Sequence, residues 1–311
     1  RRAAAAEAVG SKGATAPPAS EREGPAYSTL EEWESARRRR GNKAASAPWS
    51  LHRIEEVPVQ LRFNPFVHRG YRKNLNFGQC VRSIFRWHNE TVNIHTHLWG
   101  MFGTIALSLR PTTIDPFHLT LYLMITVPLS VCFALSVMYH TLMAHRKCCE
   151  SPRLYQNLLC ADVLGVVLTL TIPWFGPLWY SFHDNRQVLA GMGIMHGAAM
   201  VFALRSLGAR NPQHRLLSLG ILFLARWIMM AARVIGIGVY CRRGQNWVHL
   251  MDLSLIIGGF ANAFFFPERF RPGRFCYFPN GHQIMHTATL FCVLCLYQAN
   301  EEERAHYLAN H

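Results

Sequence analysis

The feature that most constrains this chain is a series of apolar runs too long for the helices of a water-soluble core. Seven stretches, roughly 92–109, 117–143, 157–182, 188–207, 216–240, 247–266 and 283–298, come near the ~20 residues a helix needs to cross a bilayer. The last is the shortest and must begin near residue 281 to reach across. Within hydrocarbon the backbone has to close its own hydrogen bonds, which leaves helices or closed barrels, and these runs lack the polar alternation of a barrel strand. The expected fold is all-α: a seven-transmembrane helical bundle over residues 91–299. Composition agrees, with 50% hydrophobic and only 16% charged residues.

The flanks read differently. Residues 1–62 are rich in Ala, Ser, Pro, Arg and Glu and hold too few large apolar residues to build a core, so they read as a disordered N-terminal segment. STLE at 28–31 has the spacing of a capping box and starts a short expected helix. No apolar signal-peptide core lies in the first 50 residues. Residues 63–90 read as an interfacial segment: Leu75, Phe77, Val81, Ile84 and Phe85 recur at near-helical spacing among Arg82 and Arg86, as in a helix lying on a membrane surface. Residues 300–311 form an acidic tail.

Charge sets the expected orientation. Of the net +14, residues 1–62 contribute +3, from 11 Lys/Arg against 8 Asp/Glu. Alternate loops are enriched: Arg146, Lys147 and Arg153 in one, Arg205, Arg210 and Arg215 in the next, Arg269, Arg271 and Arg274 in the third. The loops between them hold only Arg110, Arg186, and Arg242 with Arg243. The positive-inside bias then places the N-terminus in the cytoplasm and the tail outside. Asn89-Glu90-Thr91 fits the N-glycosylation pattern but falls on the cytoplasmic side, so it is expected to stay unmodified. Among the nine cysteines, Cys292 and Cys295 lie mid-span and read as packing residues, whereas Cys148 and Cys149 at a span end fit palmitate acceptors.

Chemistry enters with histidine. His282 and His286, four apart on a helix, aim two rings the same way, an arrangement able to grip a metal from one side. Alone the pair is a weak signal, because the chain has 16 histidines and Gln283 stands where the HExxH motif has glutamate. Topology adds weight: His140 ends span two at the depth where span seven begins, Ser136 lies one turn before it, and Asp162 sits near the start of span three. Ionisable groups in hydrocarbon are costly unless paired, ligated or wet. Three imidazoles with an open fourth position are the ligand set of catalytic zinc, which lowers the pKa of a bound water to ~7. In that reading Asp162 handles the proton and Ser136 orients the carbonyl or the water. The competing reading, interhelical hydrogen bonding without metal, stays open on periodicity alone.

NETVNIHTH (89–97), SVMYH (136–140), Asp162 and HQIMH (282–286) resemble the signature motifs of the progestin and adipoQ receptor family, with its Glu-x2-Asn-x3-His, Ser-x3-His and His-x3-His elements. The similarity runs from about NPFVHRGYR (64–72) to the end of the seventh span. The resemblance implies seven helices, a cytoplasmic N-terminus, and Zn2+ held by His140, His282 and His286, with Asp162 and Ser136 completing the site. Glu90, Asn93 and His97 would form a polar motif packed against it. Cys276 and Gly281 depart from the family, which usually has Asp and Ser there.

Two functions follow. The first is a zinc-dependent intramembrane hydrolase of a lipid amide, acting on ceramide or a related sphingolipid and releasing a fatty acid. The second is a membrane receptor or scaffold with a structural zinc, binding a steroid or polypeptide ligand. Either places a multi-pass protein in Golgi, other endomembrane or plasma membrane, with no nucleic-acid partner.

Overall fold

The structure, a computed structural model, describes residues 50–109, 116–207 and 212–310; the expected helix after STLE lies outside them. Among the described residues, two short strands, β1 (His52–Arg53) and β2 (Arg69–Tyr71), pair antiparallel ahead of ten α-helices. These are α1 (Phe77–Ser83), α2 (Thr91–Ser108), α3 (Pro116–Leu142), α4 (Arg146–Glu150) and α5 (Pro152–Thr171), then α6 (Phe175–Phe182), α7 (Arg186–Ser206), α8 (Pro212–Val234), α9 (Arg242–Ala263) and α10 (Gly281–Asn310).

Five helical stretches among the described residues are long and apolar enough to cross a membrane: Pro116–Leu142, Pro152–Phe182, Arg186–Ser206, Leu217–Val234 and Arg242–Phe270. Large apolar side chains such as Leu123, Val127, Ile194, Phe202, Leu224, Ile256 and Leu294 point outward from the bundle, as they do in a protein solvated by lipid. The chain is an integral membrane protein. The first and last of the seven expected runs became α2 and α10, whose hydropathy is lowered by Asn93, His95 and His97 in one and by His282, Gln283 and His286 in the other. Both pack into the bundle, α2 along α3 and α10 along α9.

The core that joins these helices gathers Ile125, Phe133, Trp174, Met229, Val248 and Leu296, with Cys292 and Cys295 packed among them as expected. With no water to expel, helices in lipid gain from close backbone approach, and small residues permit it. Gly258 of α9 shows this: a Cβ there would come within 2.8 Å of Ala288 Cβ and 3.1 Å of Met285 Cα on α10. A 3-10 turn at Ile172–Trp174 interrupts the third apolar run between α5 and α6, where Pro173 has no N–H to continue the ladder.

Three readings of the sequence are corrected. Residues 50–62 fold, because Val57 and Leu61 find an apolar surface made by Tyr71, Tyr139 and Cys276, far away in sequence. The interfacial helix spans only Phe77–Ser83, and Leu75 is buried where its backbone bridges Ala144 and Arg146; Phe77, Val81, Phe85 and Trp87 remain outward. Cys148 and Cys149 are buried at the same junction, with the Cys149 thiol donating to Ala144 O, so neither is presented for acylation.

The tail is also helical, since α10 continues to Asn310 and buries Asn300 and Glu303. Glu303 Oε1 accepts from Arg233 Nη2 at 2.5 Å, both side chains being almost fully enclosed. Arg226 pairs instead with Asp252 and lies over the rings of Trp174 and Phe223.

Candidate metal centre

α3 and α10 meet at one end of the bundle, and there the structure brings His140, His282 and His286 together. One ring nitrogen of each lies within 4.8 Å of the others. His140 and His286 are buried and His282 is half-buried. The four-residue spacing on α10 aims both of its rings at His140, with ring centroids 5.4 Å and 4.9 Å away.

Each ring is held from behind. His140 Nδ1 donates to Glu90 Oε2 at 2.8 Å, and Glu90 also accepts from Asn93 Nδ2 at 2.7 Å and Asn89 Nδ2 at 2.9 Å. His282 Nδ1 donates to Asn262 Oδ1 at 3.0 Å, and His286 Nδ1 lies 3.4 Å from Thr96 Oγ1. With Nδ1 engaged on all three, Nε2 is the donor each ring has to offer. His140 Nε2 is buried with no hydrogen-bond partner, which is costly unless a cation takes the lone pair. Tetrahedral zinc with bonds of 2.0–2.1 Å places its nitrogens about 3.3 Å apart, so the rings need close by only a small movement. The donor set fits zinc.

The remaining expected residues fall around this cluster. Asp162 on α5 comes close enough to His140 and Ser136 to act on both electrostatically, and the buried Ser136 hydroxyl makes no hydrogen bond within 3.5 Å. His97 stacks on His286, centroids 3.8 Å apart, and meets Phe133 edge-on; it packs against the site and lies outside the donor group. Histidines outside the cluster are engaged elsewhere: His95 bonds Ile84 O, His145 caps α4 and buried His196 bonds Thr171 O.

Several residues beyond those motifs position the site. Arg72, buried ahead of α1, donates through Nη2 to His140 O at 2.6 Å, satisfying a carbonyl at the last turn of α3. Burial holds its pKa down to about 10, with Glu90 pulling the other way, so it stays charged at neutral pH. Glu268 is fully buried and accepts from Gly281 N at 2.7 Å and Asn64 Nδ2 at 2.9 Å, which fixes the first turn of α10 beside His282. The departure at Gly281 has a steric reason: a Cβ there would sit 2.1 Å from Ala261 O. Cys276, the other departure, is buried, donates to Gly273 O and accepts from His68 N.

Comparison with known sequences now bears on this geometry. The family model described as haemolysin-III related matches residues 85–297, which carry all three histidines. Progestin and adipoQ receptor family member 4 of Mus musculus is 34% identical over 250 residues, covering 77% of this chain and 88% of that protein. The chain belongs to this family. The human member 4 is 31% identical over 261 residues, with the same coverage. The adiponectin receptor protein of Drosophila melanogaster is 28% identical over 275 residues, 84% of this chain and 61% of its own length. A family shared across such distances fits a site built from a few buried polar residues on an apolar frame.

The Glu90 contact gives a direct test. A carboxylate behind a ligand histidine fixes its tautomer and raises its basicity, and losing such a partner typically weakens metal binding 10–100-fold. Glu90→Gln is expected to weaken zinc binding within that range in competition titrations with a chelator. Unchanged affinity would mean that the Glu90–His140 contact is not coupled to a metal.

Proposed function

We propose that the protein is a zinc-dependent intramembrane hydrolase of a lipid amide of the ceramide type. In this reading α2 and α10 complete seven spans, the N-terminus is cytoplasmic, and the site lies at inner-leaflet depth in an endomembrane or the plasma membrane. His140, His282 and His286 would hold the ion. Zinc would supply Lewis acidity toward an amide carbonyl and lower the pKa of a water to about 7.

The rest of the work belongs to side chains. Ser136, buried beside Asp162, would hold the amide carbonyl or the water by its hydroxyl. Asp162 would accept the proton released as water adds to the carbonyl carbon and return it to the nitrogen as the C–N bond breaks, leaving a carboxylate and an amine. Glu90 would keep His140 in the tautomer with Nε2 forward. The observation that carries the proposal is the partnerless His140 Nε2, buried at the convergence of three rings beside an acidic group that is not among them.

Purified protein with labelled ceramide provides the test. Asp162→Asn is expected to lower fatty-acid release about 10²–10⁴-fold, the usual share of a general acid–base, while zinc content is retained. Release that is equal in wild type and variant sinks the mechanism. The relatives' names favour a second reading, a receptor or scaffold for a steroid or polypeptide ligand in which the ion is structural. There, replacing the histidines would abolish folding, and the wild type would show no turnover.

A further inference from the structure

A groove of about 670 Å3 runs between the chain just after α1 and the first half of α2, and nothing in the mechanism uses it. Phe85, Arg86, Val92, His95, Trp99 and Leu290 are among its walls. Val92, His95, Thr96 and Trp99 follow one face of α2, and from Val92 to Trp99 the helix rises about 10 Å, a depth that admits part of an acyl chain. The groove keeps its shape because His95 Nε2 bonds Ile84 O at 2.8 Å, tying the segment after α1 to the helix.

Its two ends differ in chemistry. Trp87 and Arg86 line the α1 end; both are exposed, as is Arg82 in the last turn of α1 just before them, and neither arginine has a carboxylate partner among the described residues. At the other end are Trp99 and Leu290, without charge. Cations and an indole above an apolar slot match an amphiphile with a negative headgroup. The back wall decides against a reacting substrate: Thr96 touches the Nδ1 side of His286, whereas the site offers Nε2. A chain in the groove lies behind the ring, not at the donor edge.

We propose that this groove binds one anionic glycerophospholipid, its phosphate on Arg86, with Arg82 of the preceding turn adding positive charge, and an acyl chain along α2 as far as Trp99. The proposal is independent of the hydrolase reading.

Native mass spectrometry of the full chain, released from bilayers of phosphatidylserine and phosphatidylcholine with matched acyl chains, tests it. Wild type is expected to retain phosphatidylserine preferentially. Arg86→Gln lowers that preference about fivefold, the worth of one arginine near an anionic surface, and the Arg82→Gln/Arg86→Gln pair lowers it further. Val92→Trp, which fills the slot, lowers retention of both lipids, with circular dichroism confirming an unchanged fold. Equal retention of the two lipids by wild type overturns the proposal, as does a preference that survives in the double variant. Displacement by an uncharged N-acyl sphingoid base that is equally effective in wild type and double variant also overturns it, and gives the groove to the substrate instead.

Discussion

Alanine at position 286 is expected to empty the metal centre, with zinc falling from about one ion per chain to background by emission spectroscopy. Three imidazoles are the smallest set that holds zinc with one position open, so no reserve ligand exists. The deficit should exceed the 10–100-fold expected for losing a residue such as Glu90 behind a ligand. His97→Ala is the informative control. His97 stacks directly on His286 yet stands outside the donor group, so its loss removes packing but should leave the ion. Zinc that persists in His286→Ala, or departs equally from both variants, would disprove the ligand assignment.

The second large effect lies at the other end of α10, 17 residues and about 26 Å beyond His286. Glu303→Ala strands the Arg233 guanidinium in a site with almost no exposure. Breaking a buried pair from one side typically costs about 3–5 kcal/mol, because the surviving charge has lost both water and its partner. In detergent, that should appear as an unfolding midpoint lowered by ~6–20 °C. Arg233→Met combined with Glu303→Leu should recover most of the loss, since two apolar side chains leave no unpaired charge. A single variant as stable as wild type would show that water reaches this end of the bundle.

Much of the architecture was readable because apolar run length is a local property. The cluster was readable for a related reason: His282 and His286 share a helix face by spacing, and the orientation of the spans placed His140 at the same depth. What could not be read is tertiary. Asn262 serves His282 across the turn from α9 to α10, and Arg72 serves His140 from 68 positions away; nothing adjacent in sequence marks either. A lone polar residue in the apolar IIGGFANAFFF stretch was the available hint for Asn262.

Glu303 was obscured in another way. NEEER looks like a solvated acidic run, and Glu301 and Glu302 are indeed half-exposed, but helical phase turns the third carboxylate inward to Arg233. Arg226 and Arg233 lie two turns apart on α8, and only packing gives Asp252 to the first and Glu303 to the second. The folding of residues 50–62 was hidden because two apolar side chains, Val57 and Leu61, anchor to a surface supplied by residues far along the chain.

All nine cysteines are free thiols, and every one except half-buried Cys160 is enclosed. Spectroscopic probes can therefore be attached to the natural background. A cysteine introduced on the outer face of α3 or α9 would outcompete the native thiols for a maleimide spin label, so distances between helices are measurable in the bilayer without first stripping the core of its sulfur.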